Sequence, residues 1–214
     1  MTLLVNEIFY SIQGESLYSG LPCTFIRLTG CNLRCNYCDT QYAYDEGTEI
    51  EIDNLITKIS GFGCSLVEIT GGEPLLQEEA PVLIEKLLDD NYTVLLETNG
   101  SIDISSIDKR CIKIVDIKCP SSEMSSKNDL DNLNKLGKKD QVKFIMGNRN
   151  DYDFAKKIVK QIPEIFPRGN ILFSPIYNTI ELSDLAKWIL KDKLSVRLQI
   201  QLHKIIWPDI LRGV

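Results

Sequence analysis

The sequence lacks a basic excess: 24 Lys and Arg stand against 30 Asp and Glu in 214 residues, a formal net charge of −6. A protein that coats nucleic acid carries the opposite balance, so no nucleic-acid partner is expected. No apolar run approaches the ~18 residues that span a bilayer, which argues against a membrane partner. The opening MTLLVNEIFYSIQGE has no basic stretch, and Asn6 and Glu7 interrupt its apolar residues. It does not read as a signal peptide, and a cytoplasmic chain is expected. Low-complexity tracts, charge blocks and internal repeats are missing too. What remains is 43% hydrophobic and 25% charged, ordinary for one globular domain with a sizeable core.

Against this plain background stand seven cysteines and a single histidine, His203. An odd count, with three thiols inside eight residues, is not the framework of a secreted disulfide domain. Cys31, Cys35 and Cys38 form CxxxCxxC within GCNLRCNYCDT. Thiolates suit zinc or an iron–sulfur cluster. A structural zinc site needs four ligands, and neither a second CxxC nor a nearby histidine supplies the fourth. Three cysteines on a 4Fe–4S cluster leave one iron open to an outside ligand. Spacing favours the cluster, with zinc and unligated thiols still open. Cys23, Cys64, Cys111 and Cys119 read as small buried hydrophobes; of these, Cys119 lies nearest the functional rim.

Short β-rich runs alternate with helical patterns. Strands are expected at 23–29, 65–70, 92–98, 111–118, 141–146, 170–175 and 195–202, all rich in Val, Ile, Leu, Phe and Thr. Helices are expected near Asp53, over 80–89 with Asn91 ending it, over 151–162, and from Ser183 or Asp184 through Trp188. This alternation implies an α/β fold with right-handed crossovers and a parallel sheet. Ligands then collect at the carboxyl ends of the strands. The unusual stretches sit there: TGCNLRC, TGGEP, ETNG and DIKCPSS.

The cysteine triad followed by TGGEP resembles the radical S-adenosylmethionine enzymes. In that superfamily the open iron chelates the amino and carboxylate groups of S-adenosylmethionine. One electron then cleaves it to methionine and a 5′-deoxyadenosyl radical. SIQGES at 11–16 and GLPCTFIRLTGCNLRCNYCDT at 20–40 are similar, more narrowly, to the 7-carboxy-7-deazaguanine synthase family. Its members convert 6-carboxy-5,6,7,8-tetrahydropterin to 7-carboxy-7-deazaguanine with release of ammonia, on the way to queuosine, and require magnesium. Ser16 and Tyr37 depart from that family, which usually has glycine and tryptophan there. Both bear on loop shape and packing more than on ligation.

The resemblance implies a partial (β/α)6-type barrel, since the chain is too short for the ~250 residues of a complete eight-unit barrel. It implies one core domain over 1–214, with a substrate-binding segment at 8–22. Cys31, Cys35 and Cys38 would hold the cluster, and Thr40 would help hold Mg2+. Tyr37, Asp39, Gly72, Glu73, Asn99, Asp116 and Lys118 would face S-adenosylmethionine. Ile12, Gln13, Gly14, Glu15, Arg27 and Thr70 would face the substrate. An electron donor such as flavodoxin or ferredoxin, and a homodimer, complete the expectation.

Each residue has a blander reading. A strand guanidinium needs an anion; for Arg27 this is the substrate carboxylate or, alternatively, a lateral ion pair with a neighbouring strand. Gln13 to Glu15 form an ordinary turn on composition alone, and Thr70 suits a cap. Glu97, Asn99, Asp116 and Lys118 share strand-end parity, which suits ribose hydroxyls or salt bridges. His203 reads as structural. Two rival functions remain: an activase that installs a glycyl radical in a partner protein, and a zinc-stabilised interaction module.

Overall fold

The computed structural model describes residues 1–214. Nine strands form one sheet: β1 (Thr2–Ile12), β2 (Pro22–Leu28), β3 (Thr48–Glu51), β4 (Leu66–Gly71), β5 (Thr93–Thr98), β6 (Ile112–Asp116), β7 (Gln141–Met146), β8 (Ile171–Pro175) and β9 (Arg197–Leu198). Their order is β3-β1-β2-β4-β5-β6-β7-β8-β9. From β2 to β9 every pairing is parallel, while β1 runs antiparallel to both β2 and β3. Six substantial parallel strands make the expected partial barrel. The seventh expected strand, 195–202, shrinks to the two residues of β9, and residues 202–206 turn helical instead.

The helices are α1 (Ile52–Ser60), α2 (Ala80–Asp89), α3 (Arg149–Val159), α4 (Leu182–Asp192) and α5 (Leu202–Ile206). Asn91 leaves α2 in the left-handed region at φ 64°, as an asparagine tolerates. The Asn148 side chain caps α3 by accepting from Asp151 N, satisfying one free N–H of the first turn. The helical layer is incomplete. Residues 99–111 cross from β5 to β6 without a helix, and 117–140 cross to β7 through short 3-10 turns.

Parallel strands buried on both faces read as continuous apolar runs, and β6, β7 and β8 are buried throughout. The outer face of the sheet packs on helices: Val67 and Ile69 of β4 cluster with Leu83 and Leu87 of α2, and Phe144 of β7 and Phe173 of β8 with Tyr152 of α3 and Leu185 of α4. The inner face changes character along the strands. Near the amino ends it is apolar, with Phe9, Cys23, Phe25, Leu66, Leu95, Ile112 and Ile114 in one cluster. Two residues further along β2, β4, β5 and β6, at the same parity, come Arg27, Glu68, Glu97 and Asp116, with Lys143 of β7 beside Asp116. The sheet therefore has an apolar floor and a polar upper chamber.

Strand β1 is absent from the sequence reading, and Asn6 and Glu7 interrupt its apolar residues. The structure supplies the reason: the β1–β2 register slips between Val5 and Glu7, a bulge at Asn6. Leu3, Val5 and then Ile8 pack toward the helices, whereas Phe9 packs inside. A one-residue slip exchanges faces, and it carries Glu7 inward opposite Arg27. Asn6 itself donates to the Tyr42 and Glu46 carbonyls. Ser16, at the position where glycine was expected, adopts φ 63°, the region glycine occupies most easily. Its Oγ accepts from Tyr18 N at 3.1 Å, local support for that turn.

Behind the amino end of β7, Asp140 is 1% exposed. It accepts from Lys113 N (2.9 Å) and Gly137 N (2.7 Å) and pairs with Lys113 Nζ (3.3 Å). Asp140→Ala should lower stability by about 3–5 kcal/mol, because it strands a buried ammonium and two N–H groups. Asp140→Asn, which keeps an acceptor, should lose less. Urea unfolding checks both: the midpoint should fall with the slope unchanged.

Candidate active site

The carboxyl ends of the strands open into one cavity of ≈ 450 Å³, within the usual range for small-molecule sites. Its first wall is the loop after β2. Cys31, Cys35 and Cys38 are free, half-buried and face the cavity. Cys31 Sγ accepts from Leu33 N at 3.4 Å and from Asn99 Nδ2 at 3.9 Å, and Cys38 Sγ lies 3.7 Å from Thr40 Oγ1. Burial pushes the Cys31 and Cys35 thiols up, against the nearby Lys118. No three His, Cys, Asp or Glu side chains converge as one metal ion requires. Three thiols on one loop fall one ligand short of a closed zinc site and suit a cluster with one iron left open. The Tyr37 hydroxyl and Asp116 Oδ1 are buried there without a partner, an arrangement that fits a polar ligand beside the thiols.

The second wall is the loop after β4. A Cβ on Gly72 would lie 2.1 Å from the Gly30 carbonyl oxygen and 2.7 Å from Cys31 Cβ. The glycine is therefore required by the approach of the cysteine loop. Next to it, Glu73 N donates to Gly30 O at 2.8 Å. The Glu73 carboxylate is 0% exposed and accepts from Leu75 N (3.0 Å), Thr98 Oγ1 (2.8 and 3.0 Å) and Asn99 N (2.7 Å). Burial raises its carboxyl, and these donors oppose the rise. Expected among the cofactor contacts, Glu73 turns its side chain behind the wall, where Leu75, Thr98 and Asn99 hold it. Asn99 turns its amide to Asn32 Oδ1 at 3.0 Å and faces the cavity. Lys118 Nζ pairs with Asp116 Oδ2 at 2.7 Å. Burial works against the Lys118 charge, but Asp116 holds its ammonium above the ordinary value.

The chamber floor and opposite wall come from β1, β2, β4, β5 and β7. Arg27 Nε pairs with Glu7 Oε1 at 2.7 Å, and Tyr42 donates to the same oxygen at 2.9 Å. The lateral ion pair thus exists, yet it engages only Nε; the two terminal nitrogens bond to no protein group. Lys143 pairs with Glu15 Oε2 at 2.9 Å and with Glu97 Oε1. Burial would raise the Glu15 carboxyl, but Lys143, with help from His203, brings it down to about 2. Gln13 donates to Glu68. Ile12, Gly14 and Thr70 complete this side.

The C-terminal segment forms the remaining side. Leu202 N donates to Gly14 O at 2.9 Å, and a Cβ on Gly14 would meet His203 Nδ1 at 2.2 Å. His203, read as structural, lines the cavity, and burial lowers its pKa. Lys204 pairs with Asp39 (2.8 Å), the Leu211 carbonyl oxygen lies 3.3 Å from the Tyr42 hydroxyl, and Arg212 pairs with Glu46 (2.8 Å). Of the residues expected from sequence, all but Glu73 line this cavity, Tyr37, Asp39 and Thr40 included. Glu68, Tyr42, Lys143 and the 201–214 segment were missed. The inward parity of Glu68 with Thr70 and of Lys143 with Gln141 was the available signal for two of them.

Comparison with known proteins agrees with this geometry. Residues 25–189 match the Radical SAM superfamily. A Koribacter versatilis protein named 7-carboxy-7-deazaguanine synthase is 39% identical, covering 98% of this chain and 99% of its own. A Chlorobaculum tepidum protein of the same name is 42% identical over 99% and 97%. Among solved structures, QueE from Escherichia coli aligns with a TM-score of 0.77 over 95% of each chain, at 22% identity; that likeness speaks for the fold.

Gly72→Ala tests the loop contact. It should destabilise the protein by about 1–3 kcal/mol through overpacking and lower the iron retained after anaerobic reconstitution. Iron and sulfide analysis checks it. Full iron content with only S-adenosylmethionine affinity reduced would place the role of this glycine at the ligand instead.

Proposed function

The chain belongs to the radical S-adenosylmethionine superfamily and, within it, to the 7-carboxy-7-deazaguanine synthases of 7-deazapurine biosynthesis, and from that premise we propose how its cavity divides between cofactor and substrate. The reaction is conversion of 6-carboxy-5,6,7,8-tetrahydropterin to 7-carboxy-7-deazaguanine with release of ammonia. One observation carries the substrate reading. An arginine with two unengaged terminal nitrogens, Arg27, faces the same cavity as the three thiols. A guanidinium so placed suits bidentate pairing with a carboxylate.

A 4Fe–4S cluster and S-adenosylmethionine, the cofactors of the superfamily, supply when bound the one-electron chemistry that begins the reaction. Cys31, Cys35 and Cys38 would hold the cluster. Tyr37, Asp39, Gly72, Asn99, Asp116 and Lys118 would face S-adenosylmethionine. The orphaned Tyr37 hydroxyl and Asp116 Oδ1 support that side. Ile12, Gln13, Gly14, Glu15, Arg27 and Thr70 would face the pterin, with Glu7 and Tyr42 fixing the Arg27 guanidinium. Thr40, half-buried beside Cys38, would contribute one oxygen to Mg2+, whose remaining shell is water and substrate oxygen. The reading includes one core domain, an outside one-electron reductant, a homodimer and a cytoplasmic setting without nucleic acid. Seven cysteines without a disulfide support the setting, and the net charge of −6 supports the last point. No helix is long and apolar enough to cross a membrane. The activase and zinc-module readings have no comparable support.

The test is anaerobic turnover of the reconstituted protein with carboxytetrahydropterin, S-adenosylmethionine, magnesium and a reductant, read by mass spectrometry. Appearance of carboxydeazaguanine is expected; its absence from protein with a full cluster overturns the reading. Arg27→Met should bind the carboxylated pterin about 100-fold or more weakly, since breaking a desolvated ion pair costs ~3–5 kcal/mol at ~1.4 kcal/mol per tenfold. Slow cleavage of S-adenosylmethionine without product should persist. Equal pterin affinity in the two proteins would make Arg27 a structural residue.

A further inference from the structure

The chamber floor holds more carboxyls than cations. Glu15 and Glu97 both pair with Lys143. Glu68, on the inner face of β4, is 3% exposed and has no ion pair of its own. Its protein partner is the Gln13 carboxamide, which donates Nε2–H to Glu68 Oε2. The sense of that bond is set from outside. Gln13 Oε1 accepts from Glu15 N at 2.9 Å, so the amide must turn its nitrogen toward Glu68. Oε2 is thereby an acceptor, and a proton on this carboxyl belongs on Oε1. That oxygen bonds to no protein atom, and Glu68 lines the cavity.

The charged and titratable groups facing Glu68 are Glu15 beyond β1, Glu97 on β5, Lys143 on β7 and the buried Cys23 thiol on β2. Burial first, then Glu97 and Glu15, raise the Glu68 carboxyl well above the ordinary range, more than Lys143 and Gln13 lower it. A carboxyl kept neutral in this way becomes a hydrogen-bond donor.

We propose that Glu68 is a substrate-binding residue held as an un-ionised acid, whose Oε1 hydroxyl donates to an acceptor on the bound heterocycle, a ring carbonyl or an unprotonated ring nitrogen. The proposal rests on the pterin reading for its ligand, but its proton does not depend on that reading. Two measurements test it on protein carrying its cluster. Infrared difference spectra between wild type and Glu68→Gln at neutral pH should contain one un-ionised carboxyl band in wild type that the variant lacks; carboxylate bands in its place overturn the proposal. Equilibrium dialysis of the carboxylated pterin should give Glu68→Gln, which retains a donor, an affinity within about threefold of wild type. Glu68→Leu should bind about tenfold more weakly, with S-adenosylmethionine affinity unchanged. Wild-type affinity should fall as pH rises through the Glu68 titration, and that limb should vanish in Glu68→Gln. Equal pterin binding by Glu68→Leu overturns the contact. Wild type that shows the band yet binds no pterin overturns the substrate reading and the contact together, leaving the protonation established.

Discussion

The carboxylate of Glu73 is fully buried and has no ion-pair partner, held by the N–H groups of Leu75 and Asn99 and the hydroxyl of Thr98. Burying a charge this way costs several kcal/mol unless hydrogen bonds offset it, so the group persists only while the loop after β4 and the end of β5 stay together. Through its own N–H, Glu73 also holds the Gly30 carbonyl, and Gly72 beside it leaves no room for a side chain. The cysteine loop, the glycine loop and the end of β5 are thus one mechanical unit. Asn99, positioned by that unit, is the residue that reaches back to Cys31 and Asn32.

Below this rim the sheet solves a different problem. A parallel sheet closed toward a barrel must fill its interior, and here the filling is graded. Stacked Phe9 and Phe25, 4.8 Å apart, close the floor. One layer up, Lys143 neutralises two carboxylates and leaves a third to be managed without a cation. The Asn6 bulge belongs to the same layer, because it alone brings Glu7 round to Arg27. Charge inside this barrel is therefore arranged by register as much as by residue type.

Much of this was legible in the sequence. Local patterns sufficed for the six parallel strands, for α2 to its last residue, and for the rim motifs, since each depends on neighbours a few positions away. The cysteine triad and all but one of the anticipated site residues reach the cavity for the same reason: they terminate recognisable strands. What escaped depends on distant partners. β1 breaks its own alternation because of a bulge that only its pairing explains. The carboxylate of Glu73 is held by Thr98 and Asn99, which no spacing rule connects to it. Glu68 and Lys143 had the right parity, but their meaning comes from the order of strands in the sheet. Residues 201–214 carry no periodicity at all, and what places them is polar contact with Gly14, Asp39, Tyr42 and Glu46.

That last segment bears on how the protein is made. A chain emerges from the ribosome amino end first, so the thiol loop and the strands around it are exposed to the cell while residues 201–214 are still being translated. The wall those residues form cannot exist during that interval. The chamber is open longest on the side that later carries His203 and Lys204, so the half-buried thiols are reached most freely before that side is built.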